Sequence, residues 1–485
     1  MSRADVETKE NPQPTENPNR SAGISPMALL VAGAFFMEFL DGTVIATALP
    51  SMALSFGVSA VDLNIGISAY LLTLAVLIPA SGWIAERFGA RNVFSAALLI
   101  FTLSSLFCGL ANSVNEFVIM RIIQGIGGAM MVPVGRLAVL RSTSKDQLIK
   151  AIATLTWPAL VAPILGPPLG GFITTYASWH WIFFINVPLG ALAILLAWKL
   201  IPNTVTTAKH PFDIKGFVAM GVAMLCLVIG LELCSQQQVN LTYALLLLAA
   251  GGIALWMAIR HLRDARFPLI RLSSLKVNSF KVTMRGGFIF RTTISAVPFM
   301  LPLMFQVGFG MDAFQSGILV LAVFAGNLMM KPATTPLIRH FGFKKLLMTN
   351  GLLSALSLLV CAFLTPSSPI ILTMVMLFWG GLCRSMQFTG ISTLAFAEVP
   401  QNEMSSANTL FSTSLQLAAG LGVTLGALSI RAGEFIAVQA GLTAVPGIAF
   451  RLGFVIIAVV TALAVIDIAR LAPDAGIAVS RKAKK

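Results

Sequence analysis

Two carboxylates stand in a stretch that is otherwise apolar. From Met27 to Leu49 the chain reads MALLVAGAFFMEFLDGTVIATAL, and Glu38 and Asp41 are its only charges. As a helix this stretch is about 35 Å long, enough to cross a bilayer core. A carboxylate there must be protonated, paired, or turned toward a water-filled cavity. A spacing of three puts both acids on one helix face, where adjacent like charges titrate as a coupled pair. The chemistry this suits is proton binding and release inside a membrane, with Arg121 as a candidate partner for Asp41.

The second half of the chain embeds the opposite sign. Arg291 and Arg384 lie deep in apolar runs, and Lys331 near the end of one. Buried cations need counter-charges. Either Glu38 and Asp41 reach across to them, or a transported molecule brings an anionic group. Gln124, Gln387, Asn408 and Gln416 are candidate polar contacts for such a molecule. Phe35 and Met130 are candidates from a wall rich in Phe and Met, of which the chain holds 33 and 21. Flexible thioethers and aromatic faces suit varied amphipathic ligands. Four histidines and five cysteines show no metal spacing, and no G-x-x-x-x-G-K-[ST] phosphate loop is present. No metal, cofactor or catalysis is therefore expected.

The elements that must position these residues are membrane spans. Of 485 residues 57% are hydrophobic and 11% charged, with a mean hydropathy of +0.86, far from a soluble domain. Hydropathy predicts fourteen spans: 27–49, 64–85, 93–111, 118–140, 151–174, 181–198, 214–233, 241–259, 284–305, 313–336, 346–364, 370–396, 407–430 and 449–469. The net charge of +14 looks at first like a nucleic-acid binder. Instead 24 of the 33 Lys and Arg fall in the two tails and the loops after even-numbered spans, and one, Arg431, in the opposite loops. That asymmetry places both termini in the cytoplasm and makes the basic balance a matter of topology. Residues 1–26 read as a disordered cytoplasmic tail, without a cleavable signal peptide, and 470–485 as a basic cytoplasmic tail.

A weak internal repeat divides the rest. FMEFLDGTVIATALP, ending at Pro50, resembles FIFRTTISAVPFMLP, ending at Pro302; AERFGARNV around Gly89 resembles LIRHFGFKKL around Gly342; RIIQG at Arg121 is echoed by RSMQF at Arg384. The common order and near-constant shift imply two six-span halves, 27–200 and 284–469. Spans 7 and 8 (201–260) are then an inserted pair, and 261–283 a cytoplasmic connection. Parallel repeats around a midplane site are a transporter architecture. The run Gly166-Pro167-Pro168-Leu169-Gly170-Gly171 must bend or loosen span 5, which suits a hinge or seal.

These motifs resemble a family: the fourteen-span drug:proton antiporters of the major facilitator superfamily (EmrB/QacA type), and within it the MdtD/HsrA-like subgroup. LDGTVIATALP is similar to its first-helix motif, with Asp41 at the acidic position. GWIAERFGARN (Gly82 to Asn92) resembles the signature loop between spans 2 and 3, with Glu86 for the usual Asp and Ala90 where a basic residue is common. RIIQGIGGA resembles the span 4 motif, whose Arg, here Arg121, is linked to proton transfer. GPPLGG resembles the antiporter motif, and WHWIFFINVPLG is typical of these exporters. Position 38 is usually Gln in the subgroup, so Glu38 departs from it.

The resemblance implies an all-α integral membrane protein that exports small amphipathic molecules, drugs or organic anions, against protons. Its proton-coupling residues would be Asp41, Glu38 and Arg121. Its gates would involve Gly82, Glu86, Arg87, Gly89, Arg91, Gly166, Pro167, Gly170 and Gly171. The proton gradient would supply the energy across the bacterial inner membrane. The partners are protons, a small-molecule substrate and lipids, with a periplasmic adaptor and outer-membrane channel as candidates; a monomer is expected and nucleic acid is not. An uptake symporter, a lipid or fatty-acid flippase and a non-transporting membrane sensor remain alternatives.

Overall fold

The computed structural model describes residues 25–58, 63, 65–202, 210–235, 241–311, 313–442 and 445–480. Residues 1–24 and 481–485 of the expected tails lie outside this set. Among the described residues every regular element is helical, and every expected span falls on helix. Among these residues twelve helices are long and apolar enough to cross a membrane, and a pair bent by 51°, Gln315–Met329 with Lys331–Phe341, makes a thirteenth when counted as one span. The remaining expected span, 151–174, is two helices, Leu148–Thr156 and Pro158–Tyr176.

The breaks have local causes. Pro158 opens the second helix of span 5, and Pro332 sits at the start of the second helix of span 10. Proline fits a first turn but removes the donor that would continue the turn before it. Gly89 (φ 85°) ends one helix and begins the next, and Gly342 (φ 74°) does the same in the other half. Such backbone strongly favours glycine, so the two junctions are structural counterparts as well as sequence echoes.

Span 4, the helix Val114–Ser142, begins with a serine N-cap. Ser113 Oγ accepts the Glu116 N–H at 3.3 Å, and the Glu116 carboxylate reaches back to accept the Asn112 N–H of the residue before the cap at 2.9 Å. One orphan helix donor is satisfied, and the helix start is fixed two turns before Arg121.

The buried core has an uneven layout. One cluster joins both halves at the end of the bundle carrying the termini and the basic loops, called here the basic end. It includes Phe35, Phe94 and Met131 from the first half and Phe280, Phe396 and Phe411 from the second. Toward the far end the core splits. Leu40, Ile45, Phe117 and Phe183 form a cluster within the first half, and Met300, Phe305, Leu358 and Phe454 another within the second.

Polar contacts between halves follow the same layout. Asn408 Nδ2 donates to Pro133 O (2.8 Å), Ser405 Oγ to Gly82 O (3.3 Å) and Arg136 to Ser412 Oγ (3.2 Å). Lys331 Nζ donates to Thr156 Oγ1 (2.6 Å) and Thr389 Oγ1 (2.9 Å). The halves are thus closed on each other at the basic end.

Span 7, the helix Ile214–Ser235, lies across the seam between spans 2 and 13, with span 8 outside it. Thr424 Oγ1 of span 13 donates to Leu231 O of span 7 at 3.0 Å. At the basic end Asp213 accepts from Gly216 N–H, from Leu269 N–H and from His261 Nε2 at 2.8 Å. Trp83 of span 2 donates to His210 O and packs edge-on against Phe212. The ends of the inserted pair therefore form a collar beside the signature loop.

Candidate functional site: a buried ion pair and a cationic centre

Asp41 and Arg121 meet at 2.7 Å, with no exposure of either side chain. The same guanidinium nitrogen donates to Gln124 Oε1 at 2.6 Å, and Gln124 Nε2 donates to Asp41 Oδ1 at 3.1 Å. Asn186 Nδ2 donates to that oxygen at 3.0 Å and to Ser105 Oγ at 2.9 Å. The Arg121 guanidinium also lies 4.2 Å from the Tyr70 ring centroid. Five spans of one half build this network: span 1 gives Asp41, span 2 Tyr70, span 3 Ser105, span 4 Arg121 and Gln124, and span 6 Asn186. Both Asp41 oxygens are bonded, which the cost of burying an ion demands.

Glu38 is different. It is 8% exposed, and its Oε2 has no hydrogen-bond partner. Its charged neighbours are Asp41 and Arg136. Neither carboxylate reaches across to the second half. Asp41's counterpart in the repeat is Thr293 and Glu38's is Phe290, so that half lacks both acids.

Among the described residues no carboxylate pairs with Arg291, Arg384 or Lys331. Arg291, in the helix Asn278–Leu303, is 2% exposed and none of its guanidinium nitrogens is bonded. It stacks over Phe411 of span 13 with 4.3 Å to the ring centroid. Arg136 of the first half lies 5.3 Å from the same centroid and 5.9 Å from that of Phe35. Two guanidinium groups from opposite halves thus face one ring, beside Glu38. Arg384 lines a cavity of about 30 Å³ inside the second half with Ser354 and Ser357. Lys331 rests on two hydroxyls, as described above.

The other expected contacts are placed differently. Gln387 is fully buried and accepts from Asn350 (2.9 Å) while donating to Leu347 O (3.0 Å), all within the second half. Asn408 bridges the halves at the basic end. Met130 is buried near the first-half network, and Gln416 is partly exposed.

Among the expected gating residues, Gly82 packs against Thr409 and Ser405 of the other half, so any side chain there would meet them. Glu86 pairs with Arg141 at 3.3 Å, within its own half. Arg87 lines the collar pocket with Trp83 and Asp213. Arg91 lies 4.9 Å from the Trp198 ring centroid. Gly166 is pressed against Thr43, whose hydroxyl reaches Ala162 O at 3.3 Å, so it sets how closely spans 1 and 5 approach. Gly170 is buried, Gly171 has open space around it, and the Pro167 side chain lies outside the described set.

A family model described as Major Facilitator Superfamily matches residues 31–423 and 284–484. The chain belongs to the major facilitator superfamily. It is 37% identical over 447 residues to the "Putative multidrug resistance protein MdtD" of Pectobacterium atrosepticum, covering 92% of this chain and 95% of that one. The Escherichia coli O9:H4 protein of the same name is 36% identical over 460 residues, covering 93% and 96%. Among solved structures, the proton:xylose symporter XylE aligns with a TM-score of 0.60 at 16% identity, covering 90% of this chain and 94% of that one. The human organic anion transporter MFSD10 aligns at 0.62 and 14% identity, covering 92% and 100%. These structures bear on the fold alone, and they agree with the two-half helical architecture.

Sequence reasoning did not single out Arg136, Asn186, Ser105 or Tyr70. Arg136 carried a signal, a cation embedded in an apolar span, but was absorbed into the charge count. Asn186 sits inside the FINVPLG segment, yet an amide in a span has many structural uses. Only the fold aims it at Asp41.

Proposed function

We propose that this superfamily member is a proton-coupled antiporter that exports small amphipathic molecules, drugs or organic anions, across the bacterial inner membrane by alternating access. The observation that carries the reading is the fully buried Asp41–Arg121 pair with its Gln124 and Asn186 donors. The names borne by the MdtD relatives support the drug-export part. With both termini cytoplasmic, the basic end faces the cytoplasm and the described state is closed toward it.

Protonation of Asp41 would cancel its charge and free Arg121, giving the first half a second electrostatic state on which rocking can depend. The proton gradient serves as the energy source, and its voltage part supplies about 2.3 kcal/mol per charge per 100 mV. No cofactor and no bond-making chemistry enter. On the substrate side Arg291 and Arg136, flanking Phe411 and Phe35, suit an amphiphile with an anionic group, and Arg384, Lys331 and Gln416 are further candidate contacts. Partners are the substrate, protons and lipids, with a periplasmic adaptor and outer-membrane channel as candidates and a monomer as the working state.

The test uses purified protein in proteoliposomes holding a pH-sensitive dye, with an imposed proton gradient. Lipophilic cations and organic acids are added in turn, beside Asp41→Asn and Arg291→Gln. Compound-triggered proton flux that disappears in Asp41→Asn is the expected result. Binding without flux for every compound would defeat the antiport reading in favour of a sensor, and flux in the direction of uptake would reassign it as a symporter.

A further inference from the structure

The two halves repeat the same helices, and their packing shows where the chemistry diverges. A side chain at Gly125 of span 4 would meet Tyr70 O and Thr73 of span 2; one at Gly381 of span 12 would meet Val323 O and Asn327 N of span 10. The offset that carries Gly89 to Gly342 also carries Tyr70 to Val323, so the two glycines are counterparts. Counted back from them, Arg121 and Gln124 correspond to Leu377 and Gly380, and by the same offset as the tyrosine Ser105 corresponds to Leu358. Arg384 echoes Arg121 in sequence, but in the fold it sits about two turns further along its helix than Arg121's counterpart.

What the first half fills with an ion pair, the second leaves partly empty. Val323, Leu358, Leu377 and Gly380 all line the cavity of about 30 Å³ described above, and Arg384 is the one charged residue on its wall. Helical side chains lean toward the N-terminus, which brings Arg384 up from its own turn to the space. Among the described residues it has no hydrogen bond, ion pair or ring contact. A cation in the middle of a span without a counter-charge is expensive. The wall also carries Ser354 and Ser357, whose hydroxyls donate to carbonyls of their own helix at 2.8 and 2.7 Å. A hydroxyl redirects its proton by rotation alone, so each can offer it to a ligand instead.

Volume and charge together select the occupant. The space takes about two waters or a single halide, and it admits no amphiphile. Water leaves the guanidinium unneutralised, whereas an anion does not. We propose that this cavity binds one chloride ion, held by the Arg384 guanidinium and by the hydroxyls of Ser354 and Ser357. The ion takes the part of the carboxylate that the second half lacks. Unlike Asp41 it takes up no proton at cellular pH, so the second half holds a fixed pair where the first holds one that can be protonated. The site rests on the packing of the second half and stands whether or not the protein is an antiporter.

Full-length protein in detergent is exchanged into sodium gluconate, whose anion is too large for the cavity, and chloride is titrated in at constant ionic strength while thermal unfolding is followed. Chloride and bromide should each raise the melting temperature by about 2–4 °C and saturate. Arg384→Gln, which leaves no cation to neutralise, should melt at one temperature in every salt. Ile294→Asp, which sets a carboxylate on the cavity wall, should likewise lose the halide dependence. Crystals of the wild type soaked in bromide should show an anomalous peak beside Arg384, and this locates the ion even where a variant fails to fold. Equal melting in gluconate and chloride, a halide dependence that persists in folded Arg384→Gln, or no peak in the cavity overturns the proposal and leaves water as the occupant.

Discussion

Asp41 and Glu38 share a helix face and differ in everything around them. Asp41 has a partner for each oxygen, whereas Glu38 has a buried oxygen with none. Charge-assisted contacts in a dry interior are expensive to break from one side, so Arg121→Ala should lower stability by about 3–5 kcal/mol. Adding Asp41→Asn should recover part of that loss, as thermal or denaturant unfolding in detergent can measure. Arg121→Lys should not rescue transport. One guanidinium reaches both Asp41 and Gln124 while lying over Tyr70, and an ammonium lacks that planar shape. Retained compound-driven proton flux in Arg121→Lys would show that only the charge is needed. Glu38→Gln, which removes the charge and keeps the shape, should keep the protein folded and transporting; loss of flux comparable to Asp41→Asn would assign Glu38 the coupling role.

At the scale of elements, the sequence is most readable where composition alone decides. The long apolar helices follow from hydropathy because every backbone group inside a bilayer must be satisfied within its own helix. The Gly89 and Gly342 junctions follow from the repeat. Alanine at Gly89 would force a positive-φ, extended backbone that suits only glycine on a residue with a side chain, at a cost of about 1–3 kcal/mol, readable as a lowered melting temperature. Legibility ends where a contact depends on how helices rotate against each other. Nothing in span 4 says that Arg136 meets Phe411 of span 13, and nothing in span 10 gives its 51° bend a direction. The collar is another such case. Burial pushes the Asp213 carboxyl up, but the N–H groups of Gly216 and Leu269 and the His261 ring outweigh it and hold it below the usual range. A depressed carboxylate stabilises above its unfolded pKa of about 3.9 and ceases to as pH falls through the folded value. Proteolysis of the 261–283 connection should therefore stay low at neutral pH and rise in acid, while Asp213→Asn should show the raised cleavage already at neutral pH.

For the whole molecule, the core is shared at one end and divided at the other, and the bonds described above that tie the halves lie at the shared end. Opening that end requires Asn408 to leave Pro133 and Lys331 to part its two hydroxyls. Cysteines at Thr156 and Thr389, one from each half and both within bonding distance of Lys331, should be joined through two disulfides by a short bis-methanethiosulfonate, each thiolate displacing a methanesulfinate, and the joined protein should stop transporting. Reduction should restore turnover. Full activity while cross-linked would mean that the halves do not separate here during the cycle.

The inserted pair has a further consequence. By standing across the seam of spans 2 and 13 it makes the protein asymmetric within the plane of the membrane, one flank of the two halves being faced by an extra pair of helices. A neighbouring protein that packs against span 8 would then bear on the inserted pair rather than on spans 2 and 13 themselves, so crowding on that flank would leave the two halves free of direct contact.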